Sequence, residues 1–108
     1  KMSAGKLAAM TVPATTKTTV YTVTDCLYAD LTLKLVNTSA STVTAKVYVS
    51  VSDTPTTTDL VAFDQIIPAN GGLLMVADKL SPGEKFVVEA SGTGLIARVS
   101  GVLVTKLT

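Results

Sequence analysis

The sequence predicts an all-β fold, a single antiparallel β-sandwich, and three observations carry that prediction. From residue 18 onward, short runs rich in Val, Thr and Leu alternate with turns of Gly, Pro, Ser and Asn. Several of these runs place apolar residues at every second position, the period of a half-buried strand. The turn signals recur at intervals of about 8 to 12 residues, the rhythm of a sandwich or small barrel. At 108 residues the chain fits one domain, because single domains cluster near about 100 to 150 residues. Two architectures stay open at this point, an immunoglobulin-like sandwich and a jelly roll.

The elements follow in order. Residues 1–17, KMSAGKLAAMTVPATTK, read as an extended N-terminal arm, and residues 18–108 as the sandwich domain. The only helix candidate, GKLAAM at 5–10, is too short to stand alone. TTVYTVT at 18–24 is a β-branched first strand, closed by Asp25 and Cys26. Leu31, Leu33 and Leu35 then alternate with Thr32, Lys34 and Val36. After a polar loop at 37–42, Val43, Ala45, Val47, Val49 and Val51 face one way, while Thr44, Lys46, Tyr48, Ser50 and Ser52 face the other. These two strands are expected to pair as a hairpin. DTPTTTD at 53–59 is a long connection, since its Pro and threonine run favour neither ladder nor helix. Strands resume at 60–67, 73–77, 85–90 and 95–106, separated by turns at 68–72, 81–84 and 91–94. Gly101 marks a bulge or a close approach in the last of these, which brings the expected total to about seven strands.

Composition narrows the function. The chain is 47% hydrophobic but only 5% aromatic and has no tryptophan, so its core is packed from Val, Leu, Ile and Ala. A core of small groups buries less area per residue, and oligomerisation would add burial. Nine basic and eight acidic residues, scattered along the chain, leave a net charge of +1. That is no electrostatic footprint for nucleic acid or an anionic membrane. No apolar run approaches the ~20 residues that span a bilayer as a helix. The N-terminal segment has no apolar stretch of signal-peptide length, which reads against secretion in this form, with Met2 as the natural start after Lys1. Cys26 is the only cysteine, so no intramolecular disulfide is possible, and it reads as a small buried hydrophobe in a protein assembled in a reducing compartment.

Histidine is absent, which closes Ser-His-Asp and Cys-His catalysis and the usual imidazole metal site. The acids are Asp25, Asp30, Asp53, Asp59, Asp64, Asp78, Glu84 and Glu89. A glycosidase needs two carboxylates about 5 to 9.5 Å apart in a cleft, and a chain without tryptophan offers little sugar-stacking surface. The expectation is a protein that is not an enzyme, with no catalytic residue, no metal ligand, no cofactor and no small-molecule substrate. Asp53, Asp59 and Asp64 gather around one loop as oxygen donors of the kind calcium takes, but their spacing matches no calcium loop. Asp in turns caps local backbone groups, and that reading is preferred. Asn37, Thr38 and Ser39 spell a glycosylation sequon and are read as a loop. Gly92 to Gly94 is a turn, lacking the Lys and helix of a phosphate loop. Tyr21, Tyr28 and Tyr48 can dot a binding surface, with cross-strand packing as the preferred reading.

The arm gives the functional reading most. Met2, Leu7, Met10 and Val12 are apolar groups in a segment too short to bury them internally. Either the arm folds back on the sandwich, or it joins a neighbour as an added strand. The reading favours the neighbour, with Pro13 as the hinge and Lys6, Leu7, Met10 and Val12 as the partner-binding residues. A chain that starts at Thr18 is then expected to fold but to attach weakly.

A resemblance points the same way. GKLAA at 5–9, residues 15–24 with their T-x-x-Y-T-V core, LVNT at 35–38, residues 47–52, IPANG at 67–71 and LSPGE at 80–84 running on to Glu89 resemble small virion proteins of tailed bacteriophages. The similarity spans most of the chain and consists of turn and strand motifs. It departs at Thr24 to Cys26, where related openings carry a Pro-Ala-Gly type turn. The resemblance implies a non-enzymatic structural protein on the virion, assembled in the bacterial cytoplasm. Its expected place is the capsid surface, as a decoration (cement) protein that binds the major capsid protein and sister copies as a homodimer or homotrimer. A tail, baseplate or fibre component acting as an adhesive or carbohydrate-binding module is the alternative.

Overall fold

In the computed structural model, which describes residues 2–24 and 26–105, the chain forms two antiparallel four-stranded sheets that pack together. Lys1, Asp25 and Lys106, which enter the expectations above, lie outside the described residues. The strands are β1 (Met2–Val12), β2 (Thr18–Thr22), β3 (Tyr28–Asn37), β4 (Val43–Ser50), β5 (Leu60–Ile67), β6 (Gly72–Leu80), β7 (Lys85–Ala90) and β8 (Leu95–Val104). One sheet has the order β1-β8-β3-β6 and the other β2-β7-β4-β5. The pairing is nested: β1 with β8, β2 with β7, β3 with β6, β4 with β5. Two further pairings, β3 with β8 and β4 with β7, close this ribbon into sheets.

The alternation read in the sequence is what fills the core. Leu31, Leu33 and Leu35 of β3 and Val43, Ala45 and Val47 of β4 all stand inside, with Ile67, Leu80, Phe86, Leu95 and Val99. Fully burying one such Val, Leu or Phe side chain stabilises by about 1.5 to 3 kcal/mol, so the core is built from many medium contributions around a single phenylalanine.

Two expectations are corrected. Strands β3 and β4 do not form a hairpin; they belong to different sheets, and the loop 38–42 carries the chain across the sandwich. Their apolar faces meet through the core rather than side by side. Asn37 fixes that crossing: it is fully buried, its Nδ2 donates to the carbonyls of Ser41 (2.7 Å) and Ile67 (3.1 Å), and its Oδ1 accepts from the Ser39 amide and hydroxyl. The residue that heads the sequon is therefore a buried structural link.

The second correction concerns the arm. Residues 2–12 form β1, an edge strand that pairs with β8 from Met2 opposite Val104 to Val12 opposite Leu95. The fold-back alternative is the one the structure takes. Gly101, flagged as a bulge or close approach, is a close approach: a Cβ there would stand 2.1 Å from the Asp30 carbonyl oxygen, and its φ is 148°. The bulge lies instead on the partner strand, between Lys6 and Ala8.

Candidate functional site

The four residues proposed to hold a partner are placed as follows. Val12 is 1% exposed and part of the core, while Leu7 and Met10 are half-buried and pack against it. Lys6 is exposed, opposite Ser100 on the outer face of the sheet. Strand pairing thus commits three of the four side chains to the protein's own interior.

Exposed apolar side chains gather elsewhere. Five of the large hydrophobic residues that stand in water lie on β5 and β6: Val61, Phe63, Ile66, Leu73 and Met75. The two strands are the edges of opposite sheets and follow one another through the turn 68–71, so they line one flank of the sandwich. Ile66 is 69% exposed, Phe63 58%, Met75 56% and Leu73 50%.

The local chemistry of β5 explains why its apolar groups face outward. LVAFDQII has apolar residues on both faces, and only one face of an edge strand can reach the core. Ala62 packs inward and Ile67 is buried, which turns Val61, Phe63 and Ile66 out. The register against β4 shifts twice, between Ala45 and Val47 and between Val47 and Tyr48, and Asp64 adopts a positive φ of 46°. That kink brings the Asp64 carboxylate to the Lys46 ammonium at 2.8 Å, and the same Lys46 Nζ stands 5.4 Å from the Phe63 ring centroid. The hydrogen bond to Asp64 holds the Lys46 ammonium above its ordinary pKa. The exposed ring is therefore framed by a charged pair, the arrangement of an apolar contact with a polar rim.

Strand β6 is different in kind. It pairs with β3 in unbroken register from Ala29 opposite Leu80 to Asn37 opposite Gly72. Leu74 and Val76 turn inward and pack at the margin of the core, while Leu73, Met75, Ala77 and Lys79 are exposed.

Of the carboxylates expected to cap local backbone groups, Asp59 does so, whereas Asp53 and Asp64 bind side chains distant in sequence. Asp59 Oδ2 accepts from the Thr56 amide at 2.9 Å, and Asp53 accepts from the Thr19 hydroxyl and from Lys85 at 3.1 Å. The Thr19 hydrogen bond, then Lys85, holds the Asp53 carboxyl below its ordinary value. With Asp64 on Lys46, no two of the three acids share a partner, and no group of three potential metal-ligating residues occurs among the described residues. Tyr48 does sit on the outer face of its sheet but is buried. Lys17 lies over its ring at 5.2 Å and donates to the Pro55 carbonyl at 2.8 Å, tying the connection 51–59 across the sheet. Burial, then the hydrogen bond its hydroxyl donates to Glu89 (3.2 Å), pushes the Tyr48 phenol up. Tyr21 packs against the core and Tyr28 is exposed beneath Lys79.

No family model, no curated protein and no solved structure matches this chain. The flank lined by β5 and β6 is the candidate site on its own geometry. Sequence reasoning identified both strands and missed the site; the signal that could have found it is the two-faced apolar pattern of LVAFDQII, which leaves one apolar face in water.

Proposed function

We propose that this chain is a non-enzymatic structural protein of a tailed-phage virion, a decoration (cement) protein that binds adjacent shell subunits and sister copies on the outside of the head. The observation that carries the reading is the exposed apolar flank of Val61, Phe63 and Ile66 on β5 and Leu73 and Met75 on β6. Large apolar side chains left in water along two adjoining sheet edges, with a charged pair beside Phe63, are features of a protein contact. The docking surface is assigned to this flank instead of to residues 1–17, because Leu7, Met10 and Val12 are committed to the core.

The strand order supports the reading. The nested pairing of eight strands in two sheets is that of a jelly roll, an architecture used by viral capsid domains and also by lectins, and it differs from the ABED/CFG arrangement of immunoglobulin domains. Fold alone assigns no activity, so the weight rests on the flank. Mechanistically, Phe63 and Ile66 desolvate against a shell subunit while the Lys46–Asp64 pair stays at the wet rim. One such contact is modest; many copies on one shell multiply it through effective concentration.

The copy number of this chain relative to the major shell protein in purified particles, measured by quantitative mass spectrometry, tests the proposal. Near parity is the expected result. A handful of copies per particle would move the protein to the tail or a fibre, and none would overturn the virion reading.

A further inference from the structure

The four sheet edges are not equivalent, and the difference points to a specific partner. Strand β2 is five residues long and shifts register between Thr19 and Tyr21. Strand β1 is interrupted between Lys6 and Ala8, and β5 is kinked around Asp64. Each of these devices blunts an edge against strand addition. Strand β6 has none of them over its nine residues. Its free side presents regularly spaced N–H and C=O groups, flanked by apolar side chains on both faces.

We propose that the partner on this edge is a second copy of the chain, joined β6 to β6 in antiparallel fashion about a two-fold axis at Met75, so that the two β1-β8-β3-β6 sheets become one continuous sheet. The register follows from the residues. When a strand pairs with its own copy, faces stay matched only where the paired residue numbers sum to an even number, because side chains alternate with period two. Three axes central to β6 satisfy this, at Met75, Val76 and Ala77, and the last sets Met75 against the partner's Lys79 and Val76 against the partner's Asp78. An axis at Val76 sets Leu73 against the partner's Lys79 and Leu74 against the partner's Asp78, which desolvates charges against apolar groups. An axis at Met75 sets Met75 on the partner's Met75, Leu73 on the partner's Ala77, and Leu74 on the partner's Val76. Asp78 and Lys79 then fall at the ends, opposite the partner's Gly72 and Gly71, where water reaches them. The apolar sequence GLLMVA at 72–77 is thus self-complementary in this register alone of the three.

One strand pair buries less than the roughly 1,000 Å² of a standing interface, so the dimer is expected to be concentration-dependent. The inference goes beyond the shell reading and stands without it, since self-association is measured on the purified chain. The test is sedimentation velocity over a concentration series, with site-specific cross-linking. Directly opposed residues in antiparallel strands have Cα atoms about 4.5 to 5.5 Å apart, within disulfide reach. In a Cys26→Ser background, Met75→Cys is expected to form a disulfide-linked dimer on mild oxidation. Lys79→Cys is not, because its copies lie about eight residues, roughly 26 Å, from each other's opposing position. Met75→Lys is expected to remain a monomer at every concentration with an unchanged melting temperature, since like charges then meet on the axis. A wild-type chain that stays monomeric throughout would overturn the proposal. So would a dimer that Met75→Lys leaves intact, or cross-linking at Lys79→Cys equal to that at Met75→Cys.

Discussion

Strands β1 and β6 are the two edges of the same sheet, and they treat their apolar residues in opposite ways. On β1, Met10 and Val12 turn inward, the outward positions are Lys6, Ala9 and Thr11, and a bulge breaks the ladder. On β6 the ladder is unbroken, and the outward positions are Leu73, Met75, Ala77 and Lys79. The number of apolar residues in a segment therefore says little about whether it meets a partner. What decides is the side of the pleat on which they stand, and whether the edge is regular enough to accept a strand.

The largest test of this contrast is to remove the closed edge. A chain starting at Thr18 loses β1 and the Val12 side chain, and is expected to unfold or aggregate; a cooperative thermal transition in that variant would restore the arm reading. Val12→Asp puts an unpaired charge into the core and is expected to cost several kcal/mol of the roughly 5 to 15 that hold a domain. Met75→Asp on the open edge is expected to leave stability within about 0.5 kcal/mol, with chemical denaturation as the common measurement.

A pair of glycines sharpens the same comparison. Gly5 and Gly101 face each other across β1 and β8, and both have positive φ. A Cβ on Gly5 meets nothing within 4 Å, whereas one on Gly101 meets the Asp30 carbonyl at 2.1 Å. Gly101→Ala is expected to destabilise by about 2 to 4 kcal/mol through overpacking and strain, and Gly5→Ala by about 1 kcal/mol through strain alone. Equal losses in urea titrations would contradict the packing at the β3–β8 seam.

On the open flank, Phe63→Ser is expected to change stability by less than about 1 kcal/mol and, under the proposed decoration function, to weaken binding to phage heads by about tenfold or more, as loss of an aromatic anchor does. Co-sedimentation with heads lacking the protein measures it, and undiminished binding would remove β5 from the contact. The smallest expected effect is electrostatic. Asp53 has a folded pKa below its ordinary 3.8 because of the Thr19 hydroxyl and Lys85. Its contribution is therefore present above about pH 4 and lost as pH falls through the lowered value. The gap in melting temperature between wild type and Asp53→Asn should close on acidification; a gap that widens would reverse the assignment.

How much of this was legible in the sequence depends on the kind of information each residue carries. Period-two runs such as Leu31, Leu33 and Leu35 report which face is buried, and the turn signals bound the strands at 60–67 and 85–90 where the structure has them. The same runs say nothing about lateral neighbours, so they suggest a β3–β4 hairpin across a loop that in fact crosses between sheets. KLAAM at 6–10 carries no β-branched residue, so its strand exists through pairing with β8, a tertiary effect that local propensity does not announce. Tyr48 sits at an outward position as read, and is buried because Lys17 and Pro55 draw a distant connection over it. The candidate flank was hidden for a related reason: Phe63 and Ile66 look like core residues until β5 is known to be an edge.

Residue-resolved amide hydrogen exchange by NMR, at a low and a high protein concentration, tests the central contrast most directly. The account predicts β1 amides bonded to β8 protected at both concentrations, and the outward-facing amides of β6 exchanging freely when dilute but slowly when concentrated. Rapid exchange throughout residues 2–12, together with β6 exchange independent of concentration, would contradict it.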